Sequence, residues 1–107
     1  MTLMSFSFRK GIPEGYVIYD CRSMPNPHHN PLLQPLTGKD KAVRDFVISS
    51  EAAKHMVMDA MRDVRRGHKV AFGCVGGRHR SVSMAILTQE WLALTKTTVD
   101  VIHRELD

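Results

Sequence analysis

The sequence lacks any long hydrophobic run and contains only two cysteines, Cys21 and Cys74. A membrane-spanning helix needs about 20 consecutive apolar residues, so we predict no transmembrane segment and no membrane partner. Residues 1–6 show neither a basic start nor a small-residue cleavage site, and we therefore expect no signal peptide. Two cysteines are too few for a disulfide framework, which is typical of a reducing compartment. Together these absences favour a cytoplasmic location.

Metal-ligand spacings, repeats and low-complexity tracts are also missing. No Cys-x-x-Cys or His-x-x-x-His pattern occurs, so we predict no metal and no cofactor. A chain of 107 residues suits one domain, which we expect to span residues 1–107. Fifteen Lys and Arg against eleven Asp and Glu give a net charge of +4. This excess is compatible with an anionic partner but does not require one.

The fold class is predicted to be α/β, because strand and helix patterns alternate along the chain. Four short runs alternate apolar and polar residues or are rich in β-branched residues, which predicts strands. Such an alternation is typical of βαβ units, so we expect a small, mainly parallel sheet of about four strands flanked by helices. The predicted strands are residues 2–8, 16–19, 69–73 and 98–102.

Three helices are predicted between these strands. The first begins after Asp40, its expected cap, and the second begins after Ser49 or Ser50 and ends at Gly67. The third runs from about residue 80 to residue 94 and is apolar on most of its circumference, so it should be well buried. The inward stripe of the second helix is expected at Ala52, Met56, Ala60 and Val64, and Met56, Met58 and Met61 are interpreted as core filler.

The clearest chemical signal is the segment Gly73-Cys74-Val75-Gly76-Gly77-Arg78-His79-Arg80-Ser81, between a predicted strand and a predicted helix. Backbone N–H groups at such a helix start converge on an anion. Gly76 and Gly77 permit unusual backbone angles and a close ligand approach. Arg80 can bind two phosphate oxygens at once. The segment therefore predicts a binding site for phosphate, sulfate or a phosphorylated small molecule; a tight turn with exposed basic residues is the alternative.

The spacing Cys-x-x-Gly-x-x-Arg-Ser, from Cys74 to Ser81, is also similar to the phosphate loop of cysteine-dependent phosphatases. In that alternative Cys74 is the nucleophile, Arg80 clamps the phosphoryl group and Asp20 is the general acid. The sequence, however, has Gly73 where those enzymes usually carry a histidine, and it has no Trp-Pro-Asp loop. We therefore favour a binding protein over an enzyme, with Cys74 packed beneath the loop.

Five segments, in order, carry a closer resemblance. Gly-Cys-Val-Gly-Gly-Arg-His-Arg-Ser-Val looks like Gly-Cys-Thr-Gly-Gly-x-His-Arg-Ser-Val, and Asp-Cys-Arg-Ser-Met-Pro-Asn-Pro-His, residues 20–28, looks like Asp-x-Arg-x-Leu-Pro-Asn-Pro-His. Residues 5–13, 35–40 and 101–106 complete the set. Over nearly the whole chain the sequence thus resembles the C-terminal domain of the RapZ family of bacterial RNase adapters. No Walker A sequence of that family's N-terminal nucleotide-binding domain occurs.

This resemblance implies a regulatory domain that senses glucosamine 6-phosphate and binds small regulatory RNA. Ligands of open α/β sheets bind outside the carboxyl ends of the strands, where three of the motif segments lie. We expect the phosphate on the loop amides and Arg80, a second cation from Arg22 or Arg104, and sugar hydroxyls on Asn26 and His28. The full set of expected ligand-binding residues is Arg22, Asn26, His28, Thr37, Gly38, Cys74, Val75, Gly76, Gly77, Arg78, His79, Arg80, Ser81, His103 and Arg104.

A dense basic run, residues 62–69, has two interpretations. Arg62, Arg65, Arg66 and Lys69 can form an RNA surface that follows the phosphate backbone. They can also be the solvated end of a helix, which the absence of interleaved aromatic residues favours. Homo-oligomer formation is a further association that the sequence leaves open.

Overall fold

All four predicted strands form one parallel sheet in the computed structural model, which describes residues 1–106. The sheet and its three flanking helices confirm the predicted α/β class. None of the helices in residues 1–106 is long and apolar enough to cross a membrane. The strands are β1 (Thr2–Ser7), β2 (Val17–Asp20), β3 (Val70–Cys74) and β4 (Asp100–His103), and the helices are α1 (Lys41–Ile48), α2 (Glu51–Arg65) and α3 (Arg80–Leu94).

The strand order is β2-β3-β1-β4, so β3 and β1 are the central strands. Ser7 pairs with Cys74 and Asp20 pairs with Gly73. Because all strands are parallel, their carboxyl ends meet at one edge of the sheet. The chain segments that leave this edge therefore converge around the start of α3, and this convergence creates the site.

Helix α3 forms the centre of the core, packed against β1, β3 and β4, with α2 beside it. The inward stripe of α2 differs from the predicted one, because Ala52 is exposed. A strict i, i+4 series drifts around a helix by about 40° per step, whereas i, i+4, i+7, i+11 stays on one face. Met58 is 56% exposed, so its interpretation as core filler is wrong. The observed stripe is Ala53, Val57, Ala60 and Val64.

The predicted helix boundaries are close to the observed ones. Ser50 caps α2, because its Oγ accepts the N–H of Ala53 at 3.1 Å. Asp40 precedes α1 as predicted, but its carboxylate accepts the N–H of Thr37 at 3.0 Å and makes no cap bond to the helix. Residues 24–38 contain no strand or α-helix, and they form one 3-10 turn at Pro27–His29.

Candidate anion-binding site

A cavity of about 360 Å³ opens at the carboxyl end of β3, where the chain turns into α3. The glycine-rich loop, the Pro27–His29 turn and the turn that follows β1 all contribute to it. Its size falls within the range of small-molecule pockets. The lining residues are Arg9, Asn26, His28, Cys74, Val75, Gly76, Arg78, His79 and Arg80.

The cavity lining is basic. Arg9, Arg78 and Arg80 contribute three guanidinium groups, and no acidic side chain in the described part of the chain lines the cavity. A negatively charged ligand is therefore favoured inside the cavity. Sequence reasoning did not single out Arg9 as a ligand-binding residue. Arg9 lies two residues after the end of β1, and ligand sites follow strand ends, but no local motif marks this arginine.

The loop is held in shape by Gly77 and Cys74. Gly77 has a φ of 70°, in the left-handed region, and a Cβ there would lie 2.6 Å from Cγ of Glu105. Its N–H donates to Sγ of Cys74 at 3.2 Å, and Sγ lies 3.2 Å from Oγ of Ser81. Cys74 is only 2% exposed. The thiol is therefore a packed group that supports the loop from beneath.

Several backbone donors of the loop have no protein partner. Among the described residues, the N–H groups of Gly76, Arg78, His79 and Arg80 donate to no other residue. The N-terminus of α3, a helix of 15 residues, adds partial positive charge at the same place. Gly76 leaves the backbone accessible, since a Cβ there would meet nothing within 4 Å. This arrangement suits an anion that accepts several hydrogen bonds.

Arg80 connects the loop to the long connection between β2 and α1. Its Nη1 donates to the carbonyl oxygen of Arg22 at 2.7 Å and lies 3.4 Å from that of Met24. The side chain is 6% exposed. Within residues 1–106 its Nε and Nη2 make no hydrogen bond, so these two donors are available to a ligand. Arg80 therefore both fixes the cavity wall and offers a fork of donors.

Asn26, His28 and His79 place polar groups on the other side of the cavity. Oδ1 of Asn26 accepts the N–H of His28 at 3.1 Å and caps the 3-10 turn. Nε2 of His79 lies 3.1 Å from the carbonyl oxygen of Gln34. The rings of His28 and His79 are 6.4 Å apart between centroids. All three residues line the cavity and add polar groups to it.

Asp20 and Arg22 pair with each other and do not line the cavity. Nη2 of Arg22 lies 2.7 Å from Oδ2 of Asp20, and this hydrogen bond holds the pKa of Asp20 below its usual value. A carboxylate ionised at neutral pH has no proton to give, which disfavours Asp20 as general acid. Position 73 carries glycine because there is no room for a side chain. A Cβ there would lie 2.4 Å from Cζ of Phe6. A histidine at that position would clash with the ring.

Thr37 and Gly38 lie in the scaffold beside the loop. The N–H of Gly38 donates to the carbonyl oxygen of Arg78 at 2.9 Å. A Cβ on Gly38 would lie 2.3 Å from the backbone nitrogen of Ser83, so only glycine fits there. Oγ1 of Thr37 accepts the N–H of Lys39 at 3.2 Å. These two residues hold the connection against the start of α3.

His103 and Arg104 also make contacts outside the cavity. Nδ1 of His103 lies 2.7 Å from Oγ of the buried Ser5. Nη2 of Arg104 donates to the carbonyl oxygen of Gly11 at 2.6 Å and pairs with Glu105 at 3.0 Å. The contacts of both residues therefore connect the end of β4 to β1 and the turn after it.

The four predicted RNA-binding residues occupy two surfaces. Arg62, Arg65 and Arg66 line one groove beside α2. The ammonium group of Lys69 instead lies 5.6 Å from the centroid of the Tyr16 ring. Lys69 therefore does not line this groove with the three arginines.

The fold and the cavity together define an α/β domain with a glycine-rich strand–loop–helix at the carboxyl edge of a parallel sheet. In residues 1–106 no group of three or more His, Cys, Asp or Glu side chains is placed to hold a metal ion. The sequence matches a protein-family model, described as the RapZ C-terminal domain, over residues 1–107. The chain belongs to this family, which confirms the resemblance seen in the five segments.

Several bacterial proteins are similar to nearly the whole chain. A nucleotide-binding protein of Thermobifida fusca is 38% identical over 117 residues, which cover 97% of this chain and 40% of that protein. One of Azoarcus sp. is 43% identical over 121 residues, with 97% and 40% covered. One of Clavibacter michiganensis is 39% identical over 119 residues, with 99% and 41% covered. The chain thus spans about two fifths of the length of these relatives.

Proposed function

We propose that this domain binds a phosphorylated small molecule in the cavity at the end of β3, with glucosamine 6-phosphate as the leading ligand. The observation that carries the proposal concerns residues 1–106: one cavity is lined by three arginines and by four loop residues whose N–H groups have no partner there, and by no acidic side chain. Phosphate oxygens accept from both kinds of donor. The amino-sugar phosphate is the ligand that the family resemblance implies, and a cavity of about 360 Å³ has room for a hexose phosphate.

Binding without turnover is favoured over phosphatase activity. The thiol of Cys74 is buried and engaged by Gly77 and Ser81, and Asp20 is paired with Arg22. An attacking thiolate needs access to phosphorus, and a leaving alkoxide needs a proton. The pairing of Asp20 with Arg22 leaves the second requirement unmet, because the ionised carboxylate has no proton to give. A regulatory sensor in the cytoplasm remains the function that best fits the sequence and the cavity.

The proposal is tested by calorimetric titration with glucosamine 6-phosphate, glucosamine and inorganic phosphate, with released phosphate assayed in the same samples. We expect saturable binding of the phosphorylated sugar, no binding of glucosamine and no phosphate release. Arg9→Ala and Arg78→Ala should each weaken binding by about tenfold or more, because each removes a charged donor. Arg62→Ala on α2 is the matched control and should bind like the wild type. Equal losses in all three variants, or tight binding of glucosamine, would contradict the proposal.

Two further ligands need their own titrations. The relatives are named nucleotide-binding proteins, so adenosine monophosphate is a competing phosphorylated ligand for the same cavity. Small regulatory RNA is implied by the family resemblance, with Arg62, Arg65, Arg66 and Lys69 as its predicted contacts. RNA binding should weaken steeply with salt, whereas a sugar phosphate held by a few donors should show a shallower dependence.

A further inference from the structure

A second concave surface lies between α2 and α3, away from the anion cavity. This α2–α3 groove has a volume of about 560 Å³ and shares no lining residue with the first cavity. It is lined by Met58, Met61, Arg62, Arg65, Arg66 and Trp91.

The floor of the groove is apolar and adaptable. Met58 is 56% exposed, although it lies in the middle of a long helix. Met61 and Trp91 are half-buried and pack against the hydrophobic core. Methionine side chains are flexible and polarizable, so they can fit the side chains of a binding partner.

The rim of the groove is positively charged. Arg62 lies 3.1 Å from Asp59, and Nη2 of Arg65 donates to Oγ1 of Thr95 at 2.8 Å. Arg66 makes no ion pair with any residue in the described part of the chain. Three guanidinium groups thus face one carboxylate, and all three arginines are exposed. The rim therefore attracts an acidic partner.

The helix periodicity explains how floor and rim come together. Met58, Met61, Arg62 and Arg65 follow the spacing i, i+3, i+4 and i+7, which places them on one face of α2. A partner helix that lies along such a face presents its own residues with the same spacing. Its apolar stripe would contact the methionines and Trp91, while acidic residues on its flanks would reach the arginines.

We propose that the α2–α3 groove is a docking site for an acidic amphipathic helix of a partner protein. Nucleic acid fits the groove less well, because Trp91 is half-buried against the hydrophobic core and so offers less of its ring as a stacking platform for bases. The fourth cation of the basic run, Lys69, lies against Tyr16 and does not line the groove. The proposal is independent of the ligand of the anion cavity.

Trp91 gives a direct readout, since it is the single tryptophan of the chain. The probe is a short synthetic helix without tryptophan, with leucine at positions i, i+3, i+4 and i+7 and glutamate elsewhere. We expect its titration to change the Trp91 emission in a saturable way. The same peptide with lysine in place of glutamate should bind at least about tenfold more weakly, because it is repelled by the rim.

Variants of the protein separate the two parts of the groove. The double variant Arg62→Glu, Arg65→Glu should lose binding of the glutamate peptide and gain binding of the lysine peptide. Met58→Gln, which keeps the charges, should weaken binding of both by about fivefold or more. Lys41→Glu on α1 carries the same kind of charge change elsewhere and should leave binding unchanged.

Equal affinity for both peptides, or no response to either, overturns the proposal. Single-stranded RNA that binds in an Arg62- and Arg65-dependent way, while the glutamate peptide does not, would assign the groove to nucleic acid instead.

Discussion

The backbone N–H of Gly77 donates to the sulfur atom of Cys74 across the base of the anion loop, at 3.2 Å. This contact holds the loop from the side of the buried strand β3. The other side of the loop lines the cavity. Because the thiol supports the loop from below, its chemistry can be separated from ligand binding by mutation.

Replacing Cys74 should distinguish support from catalysis. In Cys74→Ser the hydroxyl can accept the N–H of Gly77, so affinity for glucosamine 6-phosphate should stay within about threefold of the wild type. In Cys74→Ala the N–H loses its acceptor, which should cost about 1–3 kcal/mol in free energy of unfolding. Urea denaturation and calorimetry measure the two effects. Phosphate release by the wild type that disappears in Cys74→Ser would restore Cys74 as a nucleophile.

Alanine at the two loop glycines should have opposite consequences. Gly77→Ala forces a side chain into a left-handed backbone and against Glu105, so it should lower the free energy of unfolding by about 2–4 kcal/mol. Gly76→Ala, where a Cβ meets nothing within 4 Å, should change it by less than about 1 kcal/mol. Both values are measured by urea denaturation. The dependence of the unfolding free energy on urea concentration should be the same in the variants as in the wild type. Similar losses of unfolding free energy in the two variants would contradict the backbone conformation described for the loop.

The secondary structure could be predicted from the sequence, whereas the sheet order could not. Gly11, Gly67 and the prolines of residues 24–38 interrupt the chain locally, so they limit where strands and helices can lie. The placement of β1 between β3 and β4 depends on contacts between residues far apart in sequence. The same limit applies to the site. Local motifs located the loop and Arg80, but which distant arginines face the cavity is decided by tertiary packing, and Arg9 was missed for that reason.

Arg104 should contribute to stability and not to ligand affinity. Its guanidinium donates to the carbonyl oxygen of Gly11, pairs with Glu105 and lies 5.4 Å from the centroid of the Phe6 ring. Arg104→Ala should therefore lower the free energy of unfolding by about 1–2 kcal/mol. Glucosamine 6-phosphate should still bind within about threefold. Arg9→Ala should show the reverse pattern, with affinity lost and stability kept. Lost affinity in a stable Arg104→Ala protein would return this residue to the ligand site.

His103 should make stability depend on pH. Burial, reinforced by the positive charge of Lys39, lowers the pKa of His103 in the folded protein. The unfolded chain, with an ordinary pKa of about 6.5, then binds a proton more readily than the folded one. Stability should therefore fall as the pH drops through about 6.5 and into the range of the lowered pKa.

The pH effect is measured by urea denaturation between about pH 7 and about pH 5, which brackets the ordinary pKa of histidine. His103→Gln keeps an acceptor for the hydroxyl of Ser5 but cannot titrate, so its stability should decline less over this range than that of the wild type. Lys39→Ala should give an intermediate slope. Parallel slopes in all three proteins would remove His103 as the source of the dependence.

The strand order also affects how the domain forms during synthesis. The partners of β1 begin only at Val70 and Asp100, so the first strand made has no neighbour in the sheet until most of the chain has been translated. Until then Phe6 of β1, which is fully buried in the folded domain, lacks the residues that cover it. Such delayed pairing exposes an apolar strand to other nascent chains. We therefore expect this domain to depend on chaperones during translation more than a protein of its size with sequential hairpins.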